Sequence, residues 1–420
     1  MSSVVPEGWQ ISSVEDLLTP DCLFSDGDWV ESKDQDPAGT NRLLQLADIG
    51  DGRFVNKSNR FMNDEQFTRL NCTQLQEGDV LIARMPEPIG RACILPRLDN
   101  RLATVVDIAI LRPSAVDSYW LMSVINSAGF RTKIEEQSSG TTRTRIGRTA
   151  LSKIKLLSPP LPEQKKIASI LTSVDEVIEN TQKQIDKLQD LKKATMNELL
   201  TKGIGHTEFK DTELGRIPKS WEVQPLRGLS TKVGSGVTPR GGSSVYQDHG
   251  IIFIRSQNVH FDGLMLDDVA YISEQIHAGM KGSMVCGGDV LLNITGASIG
   301  RCTVVPNDFP EGNVNQHVCI IRPINSLYNK FLGIWLSSDY GQDQIMRFQA
   351  GGNREGLNFE QIRSIKIPVP SIQEQEKASE VVDSIQVSIS EVQSKLHQTQ
   401  SLKKSLMQDL LTGKVRVTVN

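Results

Sequence analysis

Two long segments of the chain carry hydrophobic residues with the spacing of a coiled-coil helix. Steps of three and four residues alternate along each segment, and this spacing places the side chains on one stripe of a helix. The first stripe contains Ile167, Leu171, Val174, Ile178, Ile185 and Leu188, and the second contains Ala378, Val382, Ile385, Ile389, Val392 and Leu396. Prolines precede both segments, and glycines, Gly203 and Gly413, follow them, as at many helix ends. The pattern therefore predicts two helices of about forty residues, each about 60 Å long.

The two helical segments are copies of one another. The phrase LKKATMNELLT (191–201) returns as LKKSLMQDLLT (402–412), so Leu402 stands 211 residues after Leu191, and Gln375 stands 211 residues after Gln164. A match without gaps is typical of a helix, whose packing tolerates no insertion. A long helix with one apolar stripe cannot bury that stripe alone, so we expect the two copies to pair as an antiparallel coiled coil. The alternative is two surface helices, each lying on its own domain.

Polar residues interrupt the apolar stripes at Thr181, Lys192 and Lys403. A polar residue at such a position can fix the register of a helix pair at some cost in stability. For the two lysines we expect simple exposure close to helix ends.

The segments that precede the helices also repeat, although more loosely. VPEGWQI (5–11) is similar to IPKSWEV (217–223), and EGDVLIARMPEPIGRACILP (77–96) aligns with GGDVLLNITGASIGRCTVVP (287–306). These runs are short, rich in β-branched residues and bounded by turn formers, so they predict strands and turns.

One helical stretch is predicted inside each of these segments, at about 119–130 and 327–346. Together the elements predict an α+β protein in which two globular mixed α/β domains alternate with the two paired helices. The predicted divisions are a first domain at 1–158, a central helix at 159–203, a second domain with its entry linker at 204–367, and a C-terminal helix and tail at 368–420.

Composition and charge exclude some classes of protein. No apolar run approaches the length of a bilayer-spanning helix and no signal segment opens the chain, so we expect a cytoplasmic protein. The six cysteines are scattered without a C-x-x-C pair, which argues against a disulfide framework and a zinc site, and we expect no metal. A net charge of -4 excludes a protein that is basic all over but permits a local basic face.

Twofold repetition in one chain suits a twofold ligand. Antiparallel pairing of the helices would relate the two domains by an approximate twofold axis. Duplex DNA has local twofold axes between its strands, so two like modules can meet two half-sites in opposite orientations at a fixed separation. The repeated helices would then act as a ruler between two readers.

The whole chain, over residues 5–416, resembles the specificity subunits of type I restriction-modification systems. The resemblance is carried by PLPEQKKIA (160–168) and PSIQEQEKA (370–378), by the repeated LKK...LLT phrase, and by the Pro...Trp opening of each domain. GSGVTPRG (234–241) is similar to the usual entry of a target recognition domain in this family. The first domain lacks that phrase and departs from it at 20–39.

The resemblance implies a DNA reader without catalytic activity of its own. In this family each target recognition domain reads a few base pairs of a split double-stranded target, and the helices set the gap and dock two modification subunits. Those subunits methylate adenine at N6 with S-adenosylmethionine, and restriction subunits translocate and cut DNA, so ATP and magnesium are expected in the partners and no cofactor in this chain. A specificity subunit of a related methyltransferase-nuclease fusion system is an alternative. The base sequence of the target does not follow from the residues.

Two cationic stretches and one turn supply candidates for DNA contact. The glycine-led loops at 140–155 and 351–366 allow backbone amides and cations to approach phosphate. The Gly-rich turn at 234–241 and the strand end at 251–259 are placed to meet base edges. The alternative for both loops is a solvated connection to the following helix. The candidates are Arg143, Arg145, Arg148, Arg240, Arg255, Gln257, Asn258, Asn353 and Arg354.

Short patterns also allow enzymatic interpretations. SPPL (158–161) is like the active-site phrase of adenine methyltransferases, but Leu161 replaces the aromatic residue that stacks on a flipped base. GASIG (296–300), with His317 downstream, fits a hydrolase nucleophile pattern, but it lies between strand-like runs. Pro20, Asp21, Glu31 and Lys33 have the loose spacing of a metal-dependent nuclease core, but the segment between them does not form a clean hairpin pattern.

A coiled-coil adaptor without any nucleic-acid role is a further alternative, which the net negative charge favours.

Overall fold

The computed structural model describes residues 5–140, 144–349 and 356–419. The chain forms two compact units, unit 1 with residues 1–182 and 394–420, and unit 2 with residues 183–393. Each unit contains one globular domain and a part of each long helix. The boundaries between the units therefore fall inside the two long helices, whereas the predicted divisions keep each long helix whole.

The domain of unit 1 is built from short strands and helices. In chain order they are β1 Gln10–Ser13, β2 Leu23–Asp26, β3 Asn41–Leu44, β4 Phe61–Met62, α1 Asp64–Arg69, β5 Val80–Ala83, β6 Ala92–Ile94, β7 Leu102–Thr104, β8 Ile108–Arg112, α2 Ser118–Ile125, α3 Ala128–Glu136, α4 Arg148–Ser152 and β9 Lys155–Ser158, before the long helix α5 Leu161–Thr201. The main sheet has the order β2-β8-β5-β6 with antiparallel neighbours. A second sheet has the order β4-β3-β7, in which β3 and β7 are parallel, and β1 pairs with β9.

The domain of unit 2 contains the following elements. They are β10 Phe209–Thr212, β11 Gly215–Pro218, β12 Glu222–Pro225, β13 Ser230–Ser235, β14 Ile251–Ile254, β15 Val259–His260, β16 Gly263–Leu264, β17 Ala270–Ile272, α6 Glu274–Gly279, β18 Met284–Val285, β19 Val290–Asn293, β20 Cys302–Val304, β21 Gly312–Val314, β22 Val318–Pro323, α7 Asn329–Ser337, α8 Asp339–Gln349, α9 Phe359–Ser364 and β23 Lys366–Val369, before α10 Ile372–Leu410. The main sheet has the order β13-β22-β19-β20, and a second sheet has the order β17-β14-β21-β18 with parallel β14 and β21.

The two domains share one topology. β2, β8, β5 and β6 of unit 1 occupy the same places in the main sheet as β13, β22, β19 and β20 of unit 2. An ion pair is repeated with them: Arg112 lies 2.7 Å from Asp79, and Arg322 lies 2.7 Å from Asp289. The repeat that is loose in the sequence is therefore close in the fold.

Strand residues alternate between two apolar layers in each main sheet. Along β8, Ala109 and Leu111 pack with α2 on one face, and Ile108 and Ile110 pack on the other. The same alternation separates Cys319 and Ile321 from Val318 and Ile320 along β22. Successive side chains of a strand point to opposite faces, so both faces of these short strands are buried.

Each predicted helical stretch at 119–130 and 327–346 consists of two consecutive helices. α2 ends at Ile125, and the Ser127 hydroxyl accepts a hydrogen bond from the Phe130 amide in the first turn of α3. In unit 2 the Ser338 hydroxyl accepts from the Gly341 amide at the start of α8. A capping serine therefore divides each stretch, because it satisfies the first amides of a new helix.

The predicted pairing of α5 with α10 is confirmed, and the pairing is antiparallel in each unit. In unit 1, Lys403 lies 2.6 Å from Asp175, and Arg416, beyond the end of α10, lies 2.8 Å from Glu163. Residue numbers therefore rise along α5 as they fall along the facing chain. No helix of the described residues is long and apolar enough to span a membrane.

In unit 2, the Lys192 ammonium donates to Gln386 over 2.6 Å, and the Ile204 amide donates to Glu374 over 2.8 Å. The order is again opposite along the two helices. The predicted stripe residues are the buried Ile167, Leu171, Ile185, Val382 and Ile389 and the half-buried Val174, Ile178, Leu188, Ile385, Val392 and Leu396, with Ala378 also buried.

A glutamate at the start of each long helix fastens the opening tryptophan of its domain. The Trp9 indole N–H donates to Glu163 over 3.0 Å, and the Trp221 indole N–H donates to Glu374 over 3.1 Å. Arg416 also pairs with the first of these glutamates, and His206 hydrogen bonds to the second. These contacts join the beginning of each domain to its helix pair.

The following glutamine fastens a second part of each domain. Gln164 accepts a hydrogen bond from the Asp117 amide, just before α2, and donates to the Pro159 carbonyl. Gln375 accepts from the Tyr328 amide, just before α7, and donates to the Pro370 carbonyl. The repeated Glu-Gln phrase is therefore an anchor between domain and helix, in which each buried glutamine is hydrogen-bonded through both its amide oxygen and its amide nitrogen.

The expectation of simple exposure for Lys192 and Lys403 is wrong. Their side chains are 23% and 22% exposed, and both helices continue past them for several residues. Their partners are equivalent, because Gln386 stands 211 residues after Asp175, as Lys403 does after Lys192. Each lysine therefore occupies a polar position in the stripe and has a polar partner on the facing helix.

Substitution of Lys403 by Ala is expected to destabilise unit 1 by about 1–3 kcal/mol, because it leaves the half-buried Asp175 carboxylate without its cation. Lys404→Ala is the matched control, since Lys404 is exposed and its loss is expected to cost no more than about 0.5 kcal/mol. Urea unfolding of the full chain measures both changes. Equal, small effects of the two substitutions would contradict the assignment of Lys403 to the stripe.

The Glu163 anchor predicts a dependence of stability on pH. Burial acts to raise the pKa of Glu163, but hydrogen bonds from Arg416 and Trp9 outweigh it and hold the pKa below its ordinary value. A carboxylate with a lowered folded pKa stabilises the fold above its unfolded pKa of about 4.3 and loses this contribution as the pH falls through the folded value. We therefore expect the thermal midpoint to drop below about pH 4.3, with a smaller drop in Glu163→Gln. The exposed Glu176→Gln is the control, and a drop in Glu163→Gln as large as in that control would refute the anchor.

Candidate nucleic-acid interface

One end of each main sheet gathers loops from distant parts of the sequence. Because neighbouring strands are antiparallel, β2 and β5 end where β8 and β6 begin, and the same holds for their counterparts in unit 2. We call these surfaces the loop ends. The loop end of unit 1 comprises residues 26–29, 45–48, 84–91, 105–107 and 144–148, and that of unit 2 comprises residues 235–240, 255–258, 294–301, 315–317 and 356–357.

Both cationic stretches predicted to contact DNA reach these loop ends. The Ile146 amide donates to the Arg84 carbonyl over 3.1 Å, and the Leu357 amide donates to the Ile294 carbonyl over 2.9 Å. The two contacts are equivalent in the two folds. Of the predicted residues in these stretches, Arg143, Asn353 and Arg354 lie outside the described residues.

A glycine at each loop end permits a close approach of two chain segments. A Cβ atom on Gly27 would lie 2.2 Å from the Val105 carbonyl oxygen, and one on Gly236 would lie 1.6 Å from the Val314 carbonyl oxygen. Neither position accepts a side chain unless the backbone moves. Gly27 is therefore the counterpart of the glycine in the GSGVTPRG phrase, although the first domain lacks the rest of that phrase.

The loop end of unit 1 contains a cluster of arginines and aspartates. Arg84 lies 3.0 Å from Asp26, and Arg145 lies 3.3 Å from Asp107. Both guanidinium groups donate to the carbonyl oxygen of Val106, Arg145 over 3.2 Å. Burial lowers the pKa of Arg84, and the surrounding charges act on it in both directions.

Arg148 and Trp29 complete this loop end. Arg148 is the exposed first residue of α4 and makes no side-chain hydrogen bond within the described part of the chain. Arg84 and Arg145 face the carboxylates of Asp26 and Asp107, and Arg148 adds an exposed cation beside these two pairs. The Trp29 side chain is 70% exposed and lines a cavity of about 450 Å³ together with Asp107.

The predicted base-reading residues of unit 2 differ in how far they are exposed. Arg240 is exposed, and Arg255 is half-buried, where it donates to the Asp268 carbonyl and lies 5.9 Å from the Tyr246 ring centre. Gln257 is exposed and donates to the Asp268 carboxylate over 3.0 Å. Gln257 and Arg240 therefore present polar groups at the surface of the loop end.

Asn258 lies inside its turn, and only 2% of it is exposed. Its amide oxygen accepts from the Arg255 amide, and its amide nitrogen donates to the Met265 and Asp268 carbonyls. These bonds engage both ends of the side chain and give Asn258 a structural part in the turn. The buried Asp48 of unit 1 has the same kind of part, because it accepts backbone hydrogen bonds from Gln45, Lys57 and Ser58.

The sequence interpretation missed a polar chain across the loop end of unit 2. Thr238 bonds to Gln316, the Gln316 amide nitrogen lies 2.9 Å from His317 Nε2, and His317 Nδ1 bonds to Thr295. Asp107 of unit 1 was missed in the same way. The run AILRP (109–113) matches CIIRP (319–323), and Asp107 and His317 each stand two residues before these runs, where the two copies differ. That divergence is the signal that could have found them.

The enzymatic patterns gain no support from the geometry around them. Ser298 lies in a short turn between the antiparallel strands β19 and β20, whereas a nucleophile elbow joins a strand to a helix. His317 bonds to Thr295, and the Ser298 hydroxyl bonds to Asn293. Glu31 of the nuclease pattern forms an exposed ion pair with Lys33 at 2.7 Å.

Comparison with protein families gives one match that covers most of the chain. The family described as "Type I restriction modification DNA specificity domain" matches residues 6–190 and 218–406. The type I restriction enzyme MjaVIII specificity subunit of Methanocaldococcus jannaschii is 29% identical over 423 residues, which are 98% of this chain and 94% of that protein. The type I restriction enzyme EcoBI specificity subunit of Escherichia coli is 26% identical over 304 residues, 69% of this chain and 63% of that protein.

Solved structures share the fold. A chain from a study of complex assembly and conformational transition of the type I R-M system superposes with a TM-score of 0.61 at 14% identity, covering 98% of this chain and 100% of that chain. The type I restriction-modification S subunit from M. genitalium superposes with a TM-score of 0.57 at 16% identity, covering 98% of this chain and 97% of that one. At such identities the likeness concerns the fold.

Replacement of Gly236 by Ala is expected to distort the loop end of unit 2 and to cost about 1–3 kcal/mol or more, because the new Cβ meets a backbone carbonyl. Gly234→Ala is the matched control two residues away, since a Cβ there meets nothing within 4 Å. Calorimetric unfolding of both variants measures the difference. A Gly236→Ala variant as stable as Gly234→Ala would contradict the close approach.

Proposed function

The chain belongs to the type I restriction modification DNA specificity domain family, and on this premise we propose that it reads a two-part DNA target for a methyltransferase and restriction complex. Each target recognition domain reads one half of the target through its loop end. The paired helices hold the two readers at a constant spacing. The chain itself performs no catalysis.

The observation that carries this proposal is that the two loop ends share one backbone architecture but present different side chains. Both loop ends are assembled from equivalent strands and an equivalent glycine, Gly27 or Gly236. One carries arginine-aspartate pairs, and the other carries a hydrogen-bonded chain from Thr238 through Gln316 and His317 to Thr295. A frame that is constant while the surface groups differ suits two readers of different base sequences.

An exposed arginine at each loop end supports DNA as the ligand, although the chain as a whole has a net charge of -4. The exposed Arg240 shares its loop end with the exposed Gln257, and the exposed Arg148 shares its loop end with the partly exposed Arg145 and Asp107. Cations of this kind contact phosphate and position a protein on the duplex, and polar side chains beside them meet the base edges. This combination is the one expected of a sequence-specific reader.

The outer faces of the long helices are proposed to dock two modification subunits. Leu191 on α5 and Leu402 on α10 are equivalent residues, and they are 51% and 54% exposed. Exposed apolar residues repeated on both helices suit two copies of one partner. Restriction subunits would join this assembly, and S-adenosylmethionine, ATP and magnesium would act in the partners.

Binding of the full chain to duplex DNA tests the proposal. Affinity is expected to fall steeply with salt, and hydroxyl-radical footprints on a bound sequence are expected to protect two patches separated by a constant gap. Arg148→Ala should weaken binding to all sequences alike and reduce the salt slope by about one phosphate contact.

Lys165→Ala removes an exposed cation from α5, outside the loop end, and serves as the charge-matched control that keeps wild-type binding. Binding that is insensitive to salt, or one uninterrupted protected patch, would favour an adaptor or a different reader and refute the proposal.

A further inference from the structure

We propose that Arg145 and Asp107 together read one G·C base pair in the DNA half-site of unit 1, with Arg145 at guanine and Asp107 at cytosine. The inference rests on the proposed function and assigns a base preference to two side chains of its first reader. The buried Arg84 is assigned as a positioning residue that holds Arg145 and Asp107 in place.

Both side chains can be reached from outside the protein. The Arg145 side chain is 39% exposed and that of Asp107 is 29% exposed, whereas Arg84 is only 3% exposed. Asp107 also lines the open cavity of about 450 Å³ that Trp29 borders. A base edge can therefore approach the Arg145 and Asp107 pair, but it cannot approach Arg84.

The position of Arg145 is set by the buried group behind it. Arg84 and Arg145 share the Val106 carbonyl oxygen as a hydrogen-bond acceptor, and Val106 directly precedes Asp107. This shared acceptor fixes the guanidinium of Arg145 next to the carboxylate of Asp107. A planar guanidinium held in this way loses little further freedom when it binds a ligand.

The contact between Arg145 and Asp107 is incomplete. Arg145 Nε lies 3.3 Å from the Asp107 carboxylate, yet this buried nitrogen forms no hydrogen bond with any described residue. Within the described residues, the side-chain hydrogen bond of Arg145 is the one to Val106. The terminal Nη1 group of Arg145 and the Asp107 carboxylate form no hydrogen bond within the described residues, so the pair keeps donors and an acceptor that a third group can use.

The order of donors and acceptor matches a G·C base pair. In the major groove guanine offers two neighbouring acceptors, N7 and O6, and cytosine offers the N4 amino donor beside them. Arginine donates two parallel hydrogen bonds to guanine, and an aspartate accepts from cytosine N4. An A·T pair places a donor between its two acceptors, so it cannot satisfy the same arrangement.

The carboxylate also argues against a phosphate as the ligand of Arg145. A negative group at 3.3 Å from the guanidinium repels a phosphate oxygen that would approach the same cation. It attracts an amino group, which carries partial positive charge. Arg148, which has no such neighbour among its described contacts, is the better phosphate ligand of this loop end.

Unit 2 replaces both members of the pair. His317 stands 210 residues after Asp107, the same interval that separates Cys319 from Ala109 in the matched strands. Gly356, just before the equivalent Leu357, replaces Arg145. Since the same topology forms with either set, the pair is not a requirement of the fold, and its chemistry is available for base discrimination.

Selection from a pool of random duplexes, performed with the full chain and its variants, tests the inference. The wild-type chain is expected to enrich a two-part motif with a G·C pair in one half. Asp107→Asn and Arg145→Lys should each relax the preference at that same base pair by roughly 10- to 100-fold. All other positions of the motif should remain unchanged.

Asp51→Asn is the matched control, because Asp51 pairs with Arg131 at 2.7 Å in the same unit but outside the loop end. It should leave the motif intact, and circular dichroism melting should show that all variants fold. An intact two-part motif in Asp107→Asn and Arg145→Lys, with affinity either unchanged or lowered equally for all sequences, would overturn the inference alone. The absence of any enriched motif with the wild-type chain would instead overturn the proposed function.

Discussion

Burial of one apolar stripe on each long helix is the constraint on which the rest of this protein depends. A single helix of forty-one residues, such as α5, with a charged outer face has nowhere to bury that stripe except against a second helix. The chain provides the second helix by repeating the first. Lysines at equivalent stripe positions pair with Asp175 or Gln386, and a pairing shifted by one turn would leave these polar groups without partners.

The Glu-Gln phrase at the start of each helix fixes the position of the adjoining domain on the helix pair. One glutamate holds the indole of the opening tryptophan, and the next glutamine holds the amide that precedes a domain helix. Both side chains are largely withdrawn from water, so their hydrogen bonds are costly to lose. Each domain is thereby fixed to its helix pair at two separate points of its chain.

Much of the fold could be predicted from the sequence because its periods are visible there. The heptad stripes, the antiparallel pairing and the repeated strands follow from local patterns and from the repeat. The anchor could not be derived, because Trp9 and Glu163 are 154 residues apart and no local pattern joins them. The stripe lysines were misjudged for a related reason, since their partners lie on the facing helix.

The candidate site was harder to predict than the fold. Gly27 lacks the sequence phrase that surrounds Gly236, and only the approach of a neighbouring carbonyl reveals their equivalence. Asn258 has a side chain that could read a base edge, but both its amide oxygen and its amide nitrogen are hydrogen-bonded to the backbone of its own turn. Asp107 and His317 become candidate site residues only because other parts of the chain bring Arg145 and Thr295 into contact with them. Site chemistry of this kind depends on long-range contacts, and these contacts vary while the frame stays the same.

The central claim is that one repeated frame presents two different readers to one DNA target. Genome-wide mapping of methylated adenines in a host with the partner subunits, with and without this chain, tests it most directly. The account predicts a two-part motif with a constant gap and one modified base on each strand, present only with the chain. A continuous motif, or the same modified sites without the chain, would contradict it.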